Sequence, residues 1–358
     1  MNCGPVMADA PRVAEADLAD RALVAEVERW VAGRTDASPF HRPAWIDAVA
    51  RGTGQRAHML LARDKAGALA GMLPLNLIHS PLFGRALVSS GFAVDGGLLA
   101  DDPAVAAALA GAALVRAERW SCPTVELRGG PAPGAGWQTR SDAYLGFVRP
   151  LAASDEAELA AIPRKHRAEV RKGLSNGLDI SFARDAAARG AFYALYCRSV
   201  HNLGTPVFPR ALFDRVLDAF GTDAEIVLVS QGGVPLSAVL ALYHGDRVMP
   251  YWQGGDHAAR HARANEIAYF ALMGRARARG CARFDFGRSK VGTGPAAYKK
   301  NWGFEGVPLA YHVHAAPGHA PRDINPLSPQ YQRRIALWKA LPAAVADRIG
   351  PWIARGLG

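Results

Sequence analysis

Two stretches of this chain run through the same order of elements, and that recurrence constrains the fold more than any single motif. In the first, hydrophobic periodicity marks HMLLARD and LAGMLPLNLIH as strands joined by a Lys65-Ala66-Gly67 turn, with RALVSSGF as a third strand. An alanine-rich helix follows, opened by Asp102 as N-cap and Pro103, and runs to Arg119; TVELRG and AYLGFVRPL are strands again. In the second stretch, LDISFAR leads through helices over Ala186–His201 and Pro209–Phe220 to the strands AEIVLVSQ, VPLSAVLALYH and DRVMPYWQGG. A helix over Asn265–Gly280, the strand CARFDFG and a last strand VPLAYHVHA complete it. The prediction is a duplicated α/β architecture, with units over 14–150 and 151–316. At 358 residues the chain is long enough to bury two cores.

At the start of the first unit, Asp17–Gly33 carries apolar residues at helical spacing, and SPFHRPAWIDAVARG opens a short helix at proline. Beyond residue 316, over 317–358, a proline-rich segment gives way to basic residues alternating with Ile335, Leu337, Trp338, Leu341, Val345, Ile349, Trp352 and Ile353. That pattern, broken by Pro342 and Pro351, suits either an anionic membrane surface or packing of the apolar stripe on the body.

Half of the residues are hydrophobic and 21% are charged, a globular composition rather than a disordered one. The net charge of +10 fits a nucleic acid, an anionic membrane or a phosphorylated ligand and does not choose among them. The four cysteines have no CxxC spacing, which argues against a zinc ribbon or a disulfide framework and for buried reduced thiols; no metal constellation is apparent. The N-terminus lacks a signal pattern, and no run reaches the roughly 18–20 apolar residues of a membrane span. The expected place is the cytoplasm, with a peripheral position at the inner membrane face if the tail binds lipid.

The densest chemistry lies in DFGRSKVGTGPAAYKKNWGFE, Asp285–Glu305. A kinase reading of Asp285-Phe286-Gly287 fails because the HRD loop and APE segment are missing. A Walker loop fails because Thr293 follows Gly292 where lysine must stand. What remains is a strand end, a glycine-relaxed loop bearing Arg288 and Lys290, and a helix from near Pro295 carrying Tyr298, Lys299 and Lys300. Amides at a helix N-terminus beside cations make an anion site.

The residues YKKNWGFE resemble the FKxGFG-type motif of FemABX-like aminoacyltransferases, which are double-GNAT proteins, and the element order is similar to that of the GNAT fold. FHRPAWIDAV, LFGRALVSSGFAVDGG, PRKHRAEVRKG, HNLGTPVFPRALFD, GCARFDFGRSKVGTGP and DINPLSPQY resemble the FemAB-family subgroup associated with exosortase A/PEP-CTERM loci. The resemblance implies tandem GNAT-like domains with mixed central sheets. It also implies an N-acyltransferase of cell-envelope or exopolysaccharide assembly, acting on an amine of a nucleotide- or lipid-linked precursor. Two strands of the GNAT fold splay apart around the acyl donor, and by element order these are DRVMPYWQGG and CARFDFG. Tyr251, Trp252 and Gln253 would then line the donor cleft, with Tyr251 also toward the acceptor. Coenzyme A-dependent relatives carry R/Q-x-x-G-x-G/A at the next helix, whereas this chain has Arg260, Arg263 and Asn265 at those positions. The arginine is kept and the glycines are missing, so acyl-coenzyme A and aminoacyl-tRNA both stand as co-substrates, with no tightly bound cofactor. Lys299 matches the motif lysine that contacts phosphate or the developing oxyanion. Tyr298 stands near the position of a tyrosine that protonates the leaving thiolate, and it equally suits packing. Asp285 and His201 are candidate acid–base groups. His41, Trp45, Asp95 and Arg167, the last on a basic helix shared with Lys165, Arg171 and Lys172, are candidates for the acceptor or an RNA backbone. DNA is not an expected partner. A tRNA-dependent peptidoglycan-type transferase and a non-catalytic binding module are the competing readings; the lack of a long heptad run disfavours the first.

Overall fold

The computed structural model describes residues 11–81, 84–320 and 329–358. Its strands form two mixed sheets. In spatial order the first contains Arg12–Glu15, Arg56–Arg63, Leu69–Ser80, Gly84–Ser89, Thr124–Arg128, Tyr311–Ala315 and Gln138–Arg140, with Leu99–Ala100 beside Leu69–Ser80. The second contains Val307–Pro308, Tyr144–Pro150, Arg283–Lys290, Arg247–Gly255, Val234–His244, Ala224–Gln231 and Asp179–Ala183.

Each sheet is antiparallel except at one place. Gly84–Ser89 lies parallel to Thr124–Arg128 through Leu87↔Val125 and Val88↔Glu126. Arg247–Gly255 lies parallel to Arg283–Lys290 through Arg247↔Arg283 and Val248↔Phe284. Parallel neighbours need a crossover, which the helices Pro103–Arg119 and Ala264–Ala278 supply. The expected duplication is therefore present as two sheets of matching design.

Two strands lie in the other sheet from the one their sequence position suggested. Tyr144–Pro150, read as the last strand of the first unit, pairs with Arg283–Lys290 in the second sheet. Tyr311–Ala315, read as the last strand of the second, pairs with Thr124–Arg128 in the first. Hydrophobic alternation says that a strand has a buried face but not which edge it joins. The first helix also starts later than the periodicity implied, at Arg21, because Asp20 caps it through Ala22 and Leu23 N–H while Asp17 closes a separate turn.

One hydrophobic core crosses between the lobes. Trp45, fully buried on the Pro43–Thr53 helix, stacks on Trp252 of the second sheet at 5.7 Å between ring centroids. That helix packs against Arg210–Phe220 of the second lobe so closely that a Cβ on Gly52 would sit 2.5 Å from Leu212 Cα. Separate cores cover the far face of each sheet. Of the cysteines, Cys122 and Cys197 are buried free thiols and Cys281 is partly buried; Cys3 lies outside the described residues.

The proline-rich part of the tail, 321–328, lies outside the described residues. The helices Pro329–Ala340 and Ala343–Ala354 follow, and both contact Ala186–Leu203. No helix among the described residues is long and apolar enough to cross a membrane.

Candidate active site

The parallel contact in the second sheet lasts two residue pairs, after which its strands separate. Both bulge there. Leu240 faces Trp252 while Ala241 faces Pro250, so Tyr251 is an extra residue in its strand. Across the gap, Asp285 faces Val148 while Arg288 faces Gly146, which leaves one extra residue where Gly287 takes φ +64°. Bulges turn side chains and carry the strands apart. The gap opens into a cavity of about 160 Å³ lined by Pro250, Tyr251, Gln253, Tyr269, Phe286, Gly287, Arg288 and Lys299, with Val94 of the first lobe as one wall.

Lys299 reaches the cavity from the short helix Gly294–Asn301. Its Nζ donates to the carbonyls of Phe286 at 2.6 Å and Arg288 at 2.9 Å, and so holds the bulge in shape. Burial brings its pKa down to about 8, against the opposing pull of Asp285 and with the help of the Arg288 charge. Asp285 lies behind the same bulge and accepts the Gly287 N–H at 2.8 Å. Burial pushes its carboxyl up to about 6 despite that bond. An acid and an amine on neighbouring elements around one bulge are thus both displaced toward their neutral forms, a pattern common at reaction centres.

Gln253 is oriented from two sides. Its Nε2 donates to Asn265 Oδ1 at 2.7 Å, and its Oε1 accepts from Tyr269 Oη at 2.9 Å; Ser237 Oγ also donates to Asn265 Oδ1. Tyr251 Oη donates to the Phe92 carbonyl in the first lobe. Arg288 stacks on Tyr144 at 4.5 Å and donates to Tyr311 Oη, whose own proton goes to the Val94 carbonyl. Arg288 also lines a second, larger cavity of about 310 Å³, shared with Arg128, Arg140, Lys290 and Glu126, so its side chain forms a partition between the two spaces.

The helix Ala264–Ala278 points its N-terminus at this region. Its N-cap, Arg263, held at φ +60°, makes no side-chain cap, while the Glu266 carboxylate in the first turn accepts its own N–H. Left-handed backbone is where the resemblance places glycine, so the turn survives the loss of that glycine at a cost of roughly 1 kcal/mol. The Arg263 guanidinium pairs with Glu169 and the Arg260 carbonyl, whereas the Arg260 side chain is exposed. The N-terminus of a fifteen-residue helix, with the Asn265 amide open and the Arg260 side chain exposed beside it, suits a diphosphate. The Asn265 side chain turns inward to Gln253 and leaves only its amide on that surface.

The cavity gathers Tyr251, Gln253, Arg288 and Lys299, with Asp285 behind them; other expected positions lie elsewhere. Trp252 faces the shared core, because adjacent strand residues point to opposite faces. Trp45 is core as well, its Nε1 donating to the Gly91 carbonyl at 3.1 Å. His41 is buried and its Nδ1 contacts Ser38 Oγ in a local cap. His201 binds the Leu341 carbonyl and ties the body to the tail. Arg167 donates to the carbonyls of Ala160 and Ile162, closing the preceding helix. Tyr298 packs edge-on against His166 and lies 3.4 Å from Glu266 Oε1, one layer behind Tyr269. Lys300 is exposed at the helix end, and Asp95 bonds the Gly96 N–H at the edge of the first lobe. Tyr269 and Val94 were not foreseen. Tyr269 follows Asn265 by one helical turn, a spacing legible once Asn265 is known to face inward.

Residues 163–300 match the Acetyltransferase (GNAT) domain family. The fold is similar to that of FemX, at TM-score 0.65 and 15% identity, over 82% of this chain and 96% of that one. It is also similar to a tandem GNAT protein from the clavulanic acid biosynthesis pathway, at 0.55 and 13%, over 87% and 100%. The C-terminal domain of a putative lysylphosphatidylglycerol synthetase from Agrobacterium fabrum aligns at 0.55 and 11%, over 89% and 95%. No curated protein matches the chain. The architecture is thus a tandem GNAT fold. Among the described residues, no group of His, Cys, Asp and Glu could hold a metal ion.

Proposed function

We propose that this protein is an N-acyltransferase whose donor site is the gap between Arg247–Gly255 and Arg283–Lys290. The observation that carries the reading is the pair of facing bulges enclosing Lys299, Arg288, Gln253 and Tyr269 beside a helix N-terminus with its Asn265 amide open. Beyond Val248 the diverging strand has no strand partner on the gap side, so backbone donors there are free to meet an acyl carbonyl. The Asn265 amide at the helix N-terminus and the Arg260 side chain would hold the diphosphate of acyl-coenzyme A, which supplies an activated thioester. The Asp285 carboxylate, ionised above about pH 6, sets the field in which Lys299 stays protonated and the bulge keeps its shape. Tyr269 Oη, held by Gln253, is the phenol best placed to pass a proton at the donor.

The acceptor would enter from the larger cavity, where Arg140 and Lys290 add positive charge beside the Arg128–Glu126 ion pair and favour an anionic carrier, and Arg288 separates it from the donor. An amine on a phosphorylated cell-envelope precursor meets that requirement. Aminoacyl-tRNA is the alternative donor, in keeping with the lysyl group in the name of the putative lysylphosphatidylglycerol synthetase that shares the fold. The helix Arg164–Leu174, with exposed Lys165, Arg171 and Lys172 beside the donor helix, favours that alternative.

The test supplies purified protein with labelled acetyl-coenzyme A or charged tRNA and an extract of small phosphorylated amines, and follows product mass. Label transfer that Lys299→Met abolishes supports the reading. Transfer that survives this change, or none from either donor, overturns it.

A further inference from the structure

The tail helix Ala343–Ala354 is apolar on two opposite sides. Ala346, Gly350 and Ala354 are buried, and a Cβ on Gly350 would lie 2.9 Å from the Val207 side chain. Val345, Ile349 and Trp352, spaced to fall on the other side, are 43%, 38% and 47% exposed. A helix apolar on both sides has a second surface to cover. Arg348 flanks this stripe, and Arg355 stands within one turn of Trp352.

Arg355 also lines a basin of about 440 Å³ at the edge of the first sheet, together with Arg56, Arg85 and Arg119. No carboxylate lines the basin, and none of the four arginines is ion-paired among the described residues. The site is braced rather than loose. Buried Gln55 donates through Nε2 to the carbonyls of both Arg355, at 2.8 Å, and His79, fastening the tail to the sheet. The Arg56 guanidinium lies over the Trp120 ring, and the Trp120 carbonyl accepts from Arg85. Four like charges gathered without a counter-charge repel one another until an anion enters.

We infer that this face docks on an anionic lipid bilayer, with Val345, Ile349 and Trp352 in the interface and lipid phosphates in the arginine basin. The charge is what selects this occupant. A protein partner would need a matching acidic surface, whereas anionic headgroups supply phosphates in the same plane as an apolar layer. The inference is independent of the acyl-transfer reading, because no residue of the donor gap takes part.

The test is co-sedimentation of the full chain with vesicles of phosphatidylcholine alone or of an equimolar mixture with phosphatidylglycerol. Binding is expected for the mixture only, and it should fall as salt rises. The triple change Arg56→Glu, Arg85→Glu, Arg119→Glu should weaken it roughly 100-fold or more, at about five-fold per lost arginine. Ile349→Ser with Trp352→Ser should weaken it about ten-fold. Circular dichroism checks folding, and Arg→Gln at the same three positions replaces the charge reversal if that variant is unfolded. Failure of the wild type to bind mixed vesicles overturns the inference, as does binding indifferent to both sets of changes. A thermal shift with inorganic pyrophosphate in the absence of vesicle binding would assign the basin to a soluble phosphate and equally overturn it.

Discussion

Asp285 and Lys299 set the behaviour of the site at the scale of single residues. The Asp285 carboxyl ionises near 3.8 when free and near 6 when folded, so between those values the folded protein holds the extra proton. Stability therefore falls as pH rises through that window and stays lower above it. Asp285→Asn keeps an acceptor for the Gly287 N–H and removes the buried charge. It should raise stability at pH 7 by roughly 1–3 kcal/mol, read by denaturant unfolding, while lowering kcat/KM. Greater stability with unchanged activity would remove Asp285 from the mechanism. The same two groups predict a bell-shaped pH dependence of kcat/KM, with limbs near 6 from Asp285 and near 8 from Lys299. Lys299→Arg holds its charge to higher pH and should lose the alkaline limb; Lys299→Met should lose at least about 100-fold in rate.

The sharpest constraint at the scale of elements is the contact between Arg247–Gly255 and the helix Ala186–Leu203. A Cβ on Gly254 would stand 2.4 Å from the Tyr196 backbone nitrogen, so helix and strand touch through their main chains. Gly254→Ala should cost roughly 1–3 kcal/mol in chemical denaturation and shift Gln253 from the cavity, lowering kcat more than it raises KM. The donor helix gives a contrasting case. Arg260→Ala removes an exposed cation from beside the open Asn265 amide, so KM for acyl-coenzyme A should rise about ten-fold with stability unchanged. An unaltered KM, measured by initial rates, would point to another donor.

The exchange of strands dominates at the scale of the whole molecule. Tyr144–Pro150 completes the second sheet and Tyr311–Ala315 the first, and Trp45 with Trp252 joins the cores. Fragments 11–150 and 151–320 would each carry a strand belonging to the other and lack one of their own. Expressed alone, each should be aggregated or lack cooperative unfolding by circular dichroism; expressed together, they should recover a single transition. Independent cooperative folding of either fragment would contradict this account of the shared core.

Order and type of the main elements were legible because each depends on local periodicity and caps: the Asp102-Pro103 helix start, the alternating AEIVLVSQ, the glycine turn before VPLSAVLALYH. Lys299 and Arg288 were legible as a cationic cluster, since charge among glycines is a local signal. Their relation to Gln253 and Tyr269 was not, because one extra residue at Tyr251 decides which side chain enters the gap. Trp45, Trp252, His41 and His201 read as functional because aromatic and imidazole groups serve cores as readily as sites, and only burial distinguishes the two. The sequence by itself thus determined two sheets' worth of strands and a basic segment near residue 290. Tertiary structure alone decided which edge each strand joined, where the strands parted and which polar groups lost their water, since these depend on contacts between residues far apart in the chain.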